Sequence, residues 1–175
     1  LRGPYQFYTY LKNEDLDFNF TFFDLNKNRD SDPLDLLLYY QGKLIDSRHL
    51  DDDGNRADNG IAGPERKLNF KLANLPEGVY KIELKVNDDI VTKSITSKQW
   101  RLAFLNKLWL SDDGQKNISV FTDSGIINAQ TINPGSLQVI KAGDQELNIS
   151  ETYRQFSLKL GTSTMEINIK KDGII

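Results

Sequence analysis

Hydrophobic and polar residues alternate along much of this chain. From position 16 to position 22 the odd-numbered residues are mainly polar, and the even-numbered ones are Leu16, Phe18, Phe20 and Phe22. A period of two with one apolar face is typical of a half-buried β-strand. The segment 79–87 repeats this pattern. We therefore expect these two segments to bury the following side chains: Phe18, Phe20, Phe22, Tyr80, Ile82, Leu84 and Val86.

The first half of the chain contains enough such segments for a complete β-sandwich. Strands are predicted at 5–11, 16–24, 34–40, 43–50, 67–73, 79–87 and 90–96. Gly, Pro, Asn and Asp mark turns between several of them, as in Gln41-Gly42. Seven short strands at this spacing favour an antiparallel sandwich.

The second half is also rich in strand patterns. Segment 100–110 fits a strand by parity and a helix by a spacing of four, with the strand favoured. Further strands are predicted at 118–122, 126–132, 136–141, 146–149, 153–160 and 163–170. Polar residues at 97–99 give the best boundary, which predicts a β-sandwich domain over 1–97 and a second β-rich domain over 98–175. The predicted fold class is all-β, with two antiparallel β-sandwich-like units of jelly-roll or immunoglobulin-like type.

The two ends of the sequence suggest a piece of a longer protein. The chain begins with Leu1 rather than Met, and an Asp-Gly pair precedes Ile174 and Ile175. An Asp-Gly turn followed by β-branched residues predicts a hairpin whose second strand continues beyond Ile175.

Composition excludes several classes of protein. The net charge of −3 and the pI near 5.2 argue against nucleic-acid binding, which needs a basic surface. Without Cys the chain has no disulfide and no thiolate ligand or nucleophile. No apolar run approaches the about 20 residues that a membrane-spanning helix needs.

A polar loop after the second predicted strand has the spacing of a calcium-binding loop. Oxygen-bearing side chains occupy relative positions 1, 3, 5, 7, 9 and 12, namely Asp24, Asn26, Asn28, Asp30, Asp32 and Asp35. Arg29 stands where an EF-hand has Gly, and the flanking segments are strands, so the loop is not an EF-hand. A solvated turn rich in Asx residues is the alternative.

A second acidic loop follows the fourth predicted strand, at Asp51, Asp52 and Asp53. If each connection reverses the chain direction, loops 24–33 and 51–66 lie at the same end of the sandwich, together with Asp88 and Asp89. Adjacent carboxylates repel one another unless a cation neutralises them. The sequence therefore offers a possible Ca²⁺ site, with solvated polar loops as the alternative, and the candidate ligands are Asp24, Asn26, Asn28, Asp30, Asp51, Asp52 and Asp53.

The sequence offers no catalytic signature. His49 is the only histidine, and no Gly-x-Ser-x-Gly motif accompanies it. We therefore expect no enzymatic activity. Aromatic residues are either a sugar-stacking platform or core and cross-strand partners; the candidates are Tyr5, Tyr8, Tyr10, Tyr39, Tyr40, Trp100, Trp109 and Tyr153.

The first half resembles bacterial extracellular β-sandwich accessory modules of the pre-peptidase C-terminal-like and fibronectin III-like kinds. The resemblance spans about residues 5–96. It rests on Leu75-Pro76-Glu77-Gly78-Val79-Tyr80 leading into a strand, and on the strand, polar loop and Asp-Leu-Leu-Leu-Tyr-Tyr run within 16–40. It implies an extracytoplasmic accessory module, whether secreted, periplasmic or at the cell surface.

Such a module would have a structural or adhesive role, without catalysis, in a larger cell-envelope or secreted protein. The expected partners are other domains of that protein, a cell-surface protein or a polysaccharide. The alternative function is a calcium-assisted carbohydrate-binding module.

Overall fold

The computed structural model describes residues 1–55, 58–105, 107–111, 116–133 and 138–175. The chain forms two compact units, Leu1–Leu108 and Trp109–Ile175. Every regular element in the described residues is a β-strand, so the predicted all-β class is confirmed. No helix in these ranges has the length and apolar character needed to cross a membrane.

The first unit consists of two antiparallel sheets that enclose one core. Its strands are β1 (Tyr5–Leu11), β2 (Leu16–Asp24), β3 (Leu34–Tyr40), β4 (Lys43–Leu50), β5 (Arg66–Leu72), β6 (Gly78–Lys85), β7 (Ile90–Ser97) and β8 (Leu102–Phe104). One sheet has the order β4-β3-β6-β1-β8 and the other the order β5-β2-β7. The first four strands have the predicted bounds.

Alternation along each strand fills this core from both sheets. In β2, Phe18, Phe20 and Phe22 are fully buried, and their rings stack along the strand with centroids 6.0 and 5.8 Å apart. Phe7 of β1 crosses from the other sheet to meet Phe18 at 5.4 Å. The side chains predicted to be buried in β6 are buried, whereas Val86, just beyond it, is partly exposed and packs against the core.

The segment around 100–110 contributes one short strand to the first unit. Within the described residues of this segment, Leu102–Phe104 is a strand, and it pairs with β1 through Phe7 and Phe104. The ring centroids of these two residues are 5.1 Å apart. This pairing assigns the segment to the first unit, which ends at Leu108 rather than at the polar residues 97–99.

The second unit contains a four-stranded antiparallel sheet and a two-stranded one. Its strands are β9 (Asn117–Thr122), β10 (Ile126–Ala129), β11 (Gln138–Ala142), β12 (Gln145–Ile149), β13 (Phe156–Lys159) and β14 (Met165–Lys170). The sheet orders are β12-β11-β14-β9 and β10-β13. The predicted strand at 136–141 begins outside the described residues.

The residues after the Asp-Gly pair are packed into the second unit. Ile174 and Ile175 are buried, and the backbone of Ile175 exchanges two hydrogen bonds with Leu110 at 2.7 and 3.1 Å. Gly173 has φ +111°, and an added Cβ there would lie 1.5 Å from Nδ2 of Asn133. Only glycine fits this turn, because both the backbone conformation and the space exclude a side chain.

Candidate metal centre

Three buried carboxylates meet at one end of the first unit. Asp24 is the last residue of β2, Asp32 lies in the β2–β3 loop, and Asp89 directly precedes β7. Their side chains offer oxygens that all lie within 4.8 Å of one another. The residues are only 1, 2 and 1% exposed, so water cannot screen their charges.

The pairing of β2 with β7 brings two of these residues together. In that ladder Asp24 is opposite Ile90, which places Asp89 next to the end of β2. The backbone N–H of Leu25 continues the contact by donating to the carbonyl oxygen of Asp89 at 3.1 Å. Two residues 65 positions apart in the sequence thus become neighbours through strand register.

Asp32 is held in place by three other segments. Its Oδ1 accepts a hydrogen bond from Nδ2 of Asn87 at 2.8 Å, and its backbone N–H donates to Oδ1 of Asp52 at 3.1 Å. The guanidinium of Arg66 donates to its carbonyl oxygen at 3.2 Å. Two of these three contacts use the main chain of Asp32, and the third uses its carboxylate.

The start of the β2–β3 loop is an Asx turn. The backbone N–H of Asn26 donates to Oδ1 of Asp24 at 2.7 Å, and Asn26 adopts a left-handed conformation with φ +47°. Asn tolerates this conformation better than most residues. Nδ2 of Asn26 then reaches the β4–β5 loop and donates to the carbonyl oxygen of Ile61 at 2.7 Å.

Burial and the charges of neighbouring carboxylates make Asp24 and Asp89 hard to ionise. Burial raises the pKa of the Asp24 carboxyl to about 6; the N–H of Asn26 opposes this rise, and the charge of Asp89 adds to it. The pKa of Asp89 is also raised, mainly by burial and then by the charge of Asp32. No Lys or Arg in the described residues forms an ion pair with any of the three.

Unpartnered oxygen atoms are concentrated in these loops. Ten buried side-chain N or O atoms in the described residues lack a hydrogen-bond partner, and this end of the first unit holds Nε of Arg66 and six oxygens. These six are Oδ2 of Asp24, Oδ1 of Asn26, Oδ1 of Asn28, Oδ2 of Asp53 and both carboxylate oxygens of Asp89. Because a buried polar atom without a partner is costly, these oxygens are candidate ligands for a cation.

The predicted ligands differ in whether their side-chain oxygens already accept a hydrogen bond. Asp24, Asn26 and Asn28 carry unpartnered oxygens, as does Asp53. Asp30 accepts a hydrogen bond from Asn87, and Asp52 accepts one from the backbone of Asp32. These two support the loops.

Asp51 lies apart from the three buried carboxylates. Its side chain is 98% exposed, and its Oδ1 is 3.3 Å from Nε2 of His49. The other ring nitrogen of His49 contacts Asp35 at 2.7 Å, so the twelfth position of the calcium-like spacing is also occupied elsewhere. Both acids face outward because β3 and β4 pair Asp35 with His49 on the solvent side of the sheet.

Sequence reasoning left Asp32 and Asp89 out of the ligand set. Asp32 had a signal, since it occupies the ninth position of the oxygen spacing. Asp89 had the signal of lying in a turn at the same end of the sandwich. Neither signal gives burial, which depends on how the three loops fold over one another.

The donor set determines the chemistry that this centre can perform. The six unpartnered oxygens belong to carboxylates or amides. Such oxygens suit hard cations such as Ca²⁺ and Mg²⁺, and they suit Zn²⁺ less well. The amide oxygens and the irregular loop geometry favour Ca²⁺, which accepts six to eight oxygens without strict geometry.

The aromatic candidates are divided between core and surface. Tyr5 is buried, and Tyr40 stacks on Tyr80 with centroids 4.7 Å apart. Trp100 and Tyr153 are 78 and 75% exposed.

Comparison with family models, with curated proteins and with solved structures gives no significant match.

Proposed function

We propose that this chain is a non-catalytic, extracytoplasmic structural or adhesive module whose first unit is stabilised by a bound calcium ion. The observation that carries the proposal is the buried cluster of Asp24, Asp32 and Asp89, whose carboxylates form no ion pair with a Lys or Arg of the described residues. A divalent ion would offset three carboxylate charges that the fold otherwise holds in mutual repulsion.

A stabilising role fits the position of the cluster. The three residues come from the end of β2, from the β2–β3 loop and from the turn before β7. A cation bound to all three would connect the paired strands β2 and β7, at one end of their ladder, to the β2–β3 loop. That loop leads into the opposite sheet. Extracellular modules that use calcium in this way bind it at about 10⁻⁴–10⁻³ M.

The size of the stabilisation follows from binding linkage. With a dissociation constant of about 0.2 mM and about 2 mM free calcium, binding to the folded state alone contributes about 1.4 kcal/mol. For a chain of this length the melting temperature should rise by about 3–6 °C. Magnesium should raise it less, because it demands near-octahedral geometry.

The test is a thermal melt of the whole chain in calcium, in magnesium and in chelator. Asp24→Asn should abolish most of the calcium-dependent rise, whereas Asp88→Asn, at an exposed neighbour of the cluster, should leave it unchanged. A parent protein with the same melting temperature in calcium and in chelator would refute the proposal.

A second candidate function, carbohydrate binding, is favoured by the outer face of the larger sheet. Tyr8 and Tyr10 occupy outward positions on β1 between buried neighbours, and Tyr39 follows the buried Leu38 on β3. Lys81 of β6 is the register partner of both Tyr8 and Tyr39, and its Nζ lies 4.1 Å from the centroid of the Tyr39 ring. Tyrosine rings next to charged hydrogen-bonding groups are a surface on which sugar rings can stack.

Affinity gels containing a soluble neutral glucan or a soluble acidic polysaccharide would test this second function. Retardation of the parent protein that is lost in Tyr39→Ala, and kept in Tyr153→Ala, would support carbohydrate binding at this face. Unretarded migration in both gels would exclude it for these two classes of polysaccharide.

A further inference from the structure

One carboxylate outside the three-residue cluster also has a free oxygen directed into the same loops. Oδ1 of Asp53 accepts a hydrogen bond from the backbone N–H of Asn55 at 2.8 Å. Its Oδ2 is buried and has no partner. The local Asx turn therefore accounts for one oxygen of Asp53 and leaves the other available.

Gly63 shows where that oxygen lies. A Cβ added at Gly63 would be 2.7 Å from Oδ2 of Asp53, 3.5 Å from Nδ2 of Asn26 and 3.6 Å from Cβ of Asp24. The φ angle of Gly63 is outside the left-handed region, so its backbone conformation does not require glycine. An added Cβ would therefore displace the Asp53 carboxylate from its present position.

The β4–β5 loop is already folded against the β2–β3 loop at this point. The N–H of Gly63 donates to the carbonyl oxygen of Asp24 at 2.7 Å, and the N–H groups of Asn59 and Gly60 both donate to that of Asn26, at 3.2 and 3.0 Å. These bonds hold residues 59–63 against the β2–β3 loop, and Asp53 lies outside the group of three carboxylates whose oxygens are within 4.8 Å of one another.

We propose that Asp53 supplies a ligand oxygen to the calcium ion and so links the start of the β4–β5 loop to the centre, with Gly63 providing the room. This inference rests on the proposed calcium site and extends it to a third loop. With Asp24, Asn26, Asn28, Asp32 and Asp89, it brings the number of candidate ligand side chains to six. Six or more oxygens from separate loops favour calcium over magnesium.

Calorimetric titration of the full chain with calcium chloride tests the proposal. We expect Asp53→Asn to weaken calcium binding at least tenfold, which corresponds to about 1.4 kcal/mol. Asp51→Asn is the matched control, because it removes the same charge from the same loop at an exposed position. Its dissociation constant should stay within about twofold of the parent value.

Hydrogen exchange of peptides covering 58–65 supplies an independent measurement. In the parent protein, calcium should slow exchange in this segment, and in Asp53→Asn it should slow exchange much less. Gly63→Ala should also weaken calcium binding, while circular dichroism shows whether the fold is retained.

The outcomes separate this inference from the proposed function. A parent protein that binds no calcium refutes both. A parent that binds calcium, with Asp53→Asn binding equally well and protecting 58–65 equally, refutes only the role of Asp53.

Discussion

Individual acidic residues carry the chemistry of this protein through their burial. Asp24 and Asp89 are each 1% exposed, whereas Asp51 and Asp88 are exposed acids in the same part of the fold. Charge alone does not distinguish these residues. Burial removes water, so ionisation at Asp24 and Asp89 becomes costly, and a cation or a proton becomes favourable.

The variant Asp89→Asn should change stability in opposite directions with and without calcium. In chelator near neutral pH, the neutral amide removes repulsion with Asp24 and Asp32, so the melting temperature should equal or exceed that of the parent. In about 2 mM calcium the variant lacks a ligand, so its melting temperature should exceed its own value in chelator by less than about 1 °C. Melts in both buffers measure this, and a full calcium response in the variant would contradict the assigned role of Asp89.

Stability without calcium should fall as the pH rises toward neutrality. The Asp24 carboxyl has a pKa of about 6 in the folded protein against an ordinary 3.8, and that of Asp89 is also raised. The folded state therefore holds these protons more tightly, so the stabilisation is complete below about pH 4 and is lost as pH rises through about 6. Melts in chelator across this range should show the fall, and Asp24→Asn should reduce it. Calcium should offset the loss above pH 6.

Gly173 is a residue-scale constraint in the second unit. An added Cβ would lie 1.5 Å from Nδ2 and 2.3 Å from Cγ of Asn133, on a backbone with φ +111°. We expect Gly173→Ala to cost at least about 1–3 kcal/mol in the free energy of unfolding. Gly161→Ala is the control, because an added Cβ there meets nothing within 4 Å. Equal stabilities of the two variants in denaturant melts would contradict this constraint.

At the scale of elements, alternation determines which face of each strand enters the core. Phe20 of β2 and Leu84 of β6 are each 1% exposed, and they belong to opposite sheets of one hydrophobic core. The residues next to them in the sequence, such as Asn19 and Lys85, face solvent. The sandwich is therefore stabilised by burial of one face of each sheet.

Core truncation should reveal this arrangement directly. Phe20→Ala or Leu84→Ala should each lower the free energy of unfolding by about 2–5 kcal/mol, because each leaves a cavity in a closely packed core. Val79→Ala is a suitable control, since Val79 is 54% exposed on β6 and should cost less than about 0.5 kcal/mol. Urea denaturation of the three variants is the measurement, and a loss below about 1 kcal/mol at Phe20 would contradict its place in the core.

At the scale of the whole molecule, the described residues have an all-β architecture and the chain carries a small net negative charge. The net charge is −3, and the described residues form antiparallel sheets in both units. A far-ultraviolet circular dichroism spectrum should accordingly show a strand signal without the double minimum of a helix. A helix-dominated spectrum would contradict the fold.

The sequence by itself determined the strands and their buried faces. A period of two is a local property, since successive side chains in any strand point to opposite sides whatever the strand pairs with. The bounds of β1 to β4 could be predicted for this reason, together with the burial of Phe18 and Ile82. The oxygen-rich spacing of 24–35 likewise marked the β2–β3 loop as a candidate metal site.

Only the tertiary structure decided which acids form the centre. Asp24 meets Asp89 because β2 and β7 pair in one register, and a shift of that register would separate them. Gly63 leaves space for Oδ2 of Asp53, while Asp51 turns toward His49 on the outer face. These outcomes depend on contacts between segments distant in the sequence, and no local pattern encodes such contacts. Burial of a charge is a property of the assembled loops, and burial is what distinguishes a candidate ligand from a solvated acid.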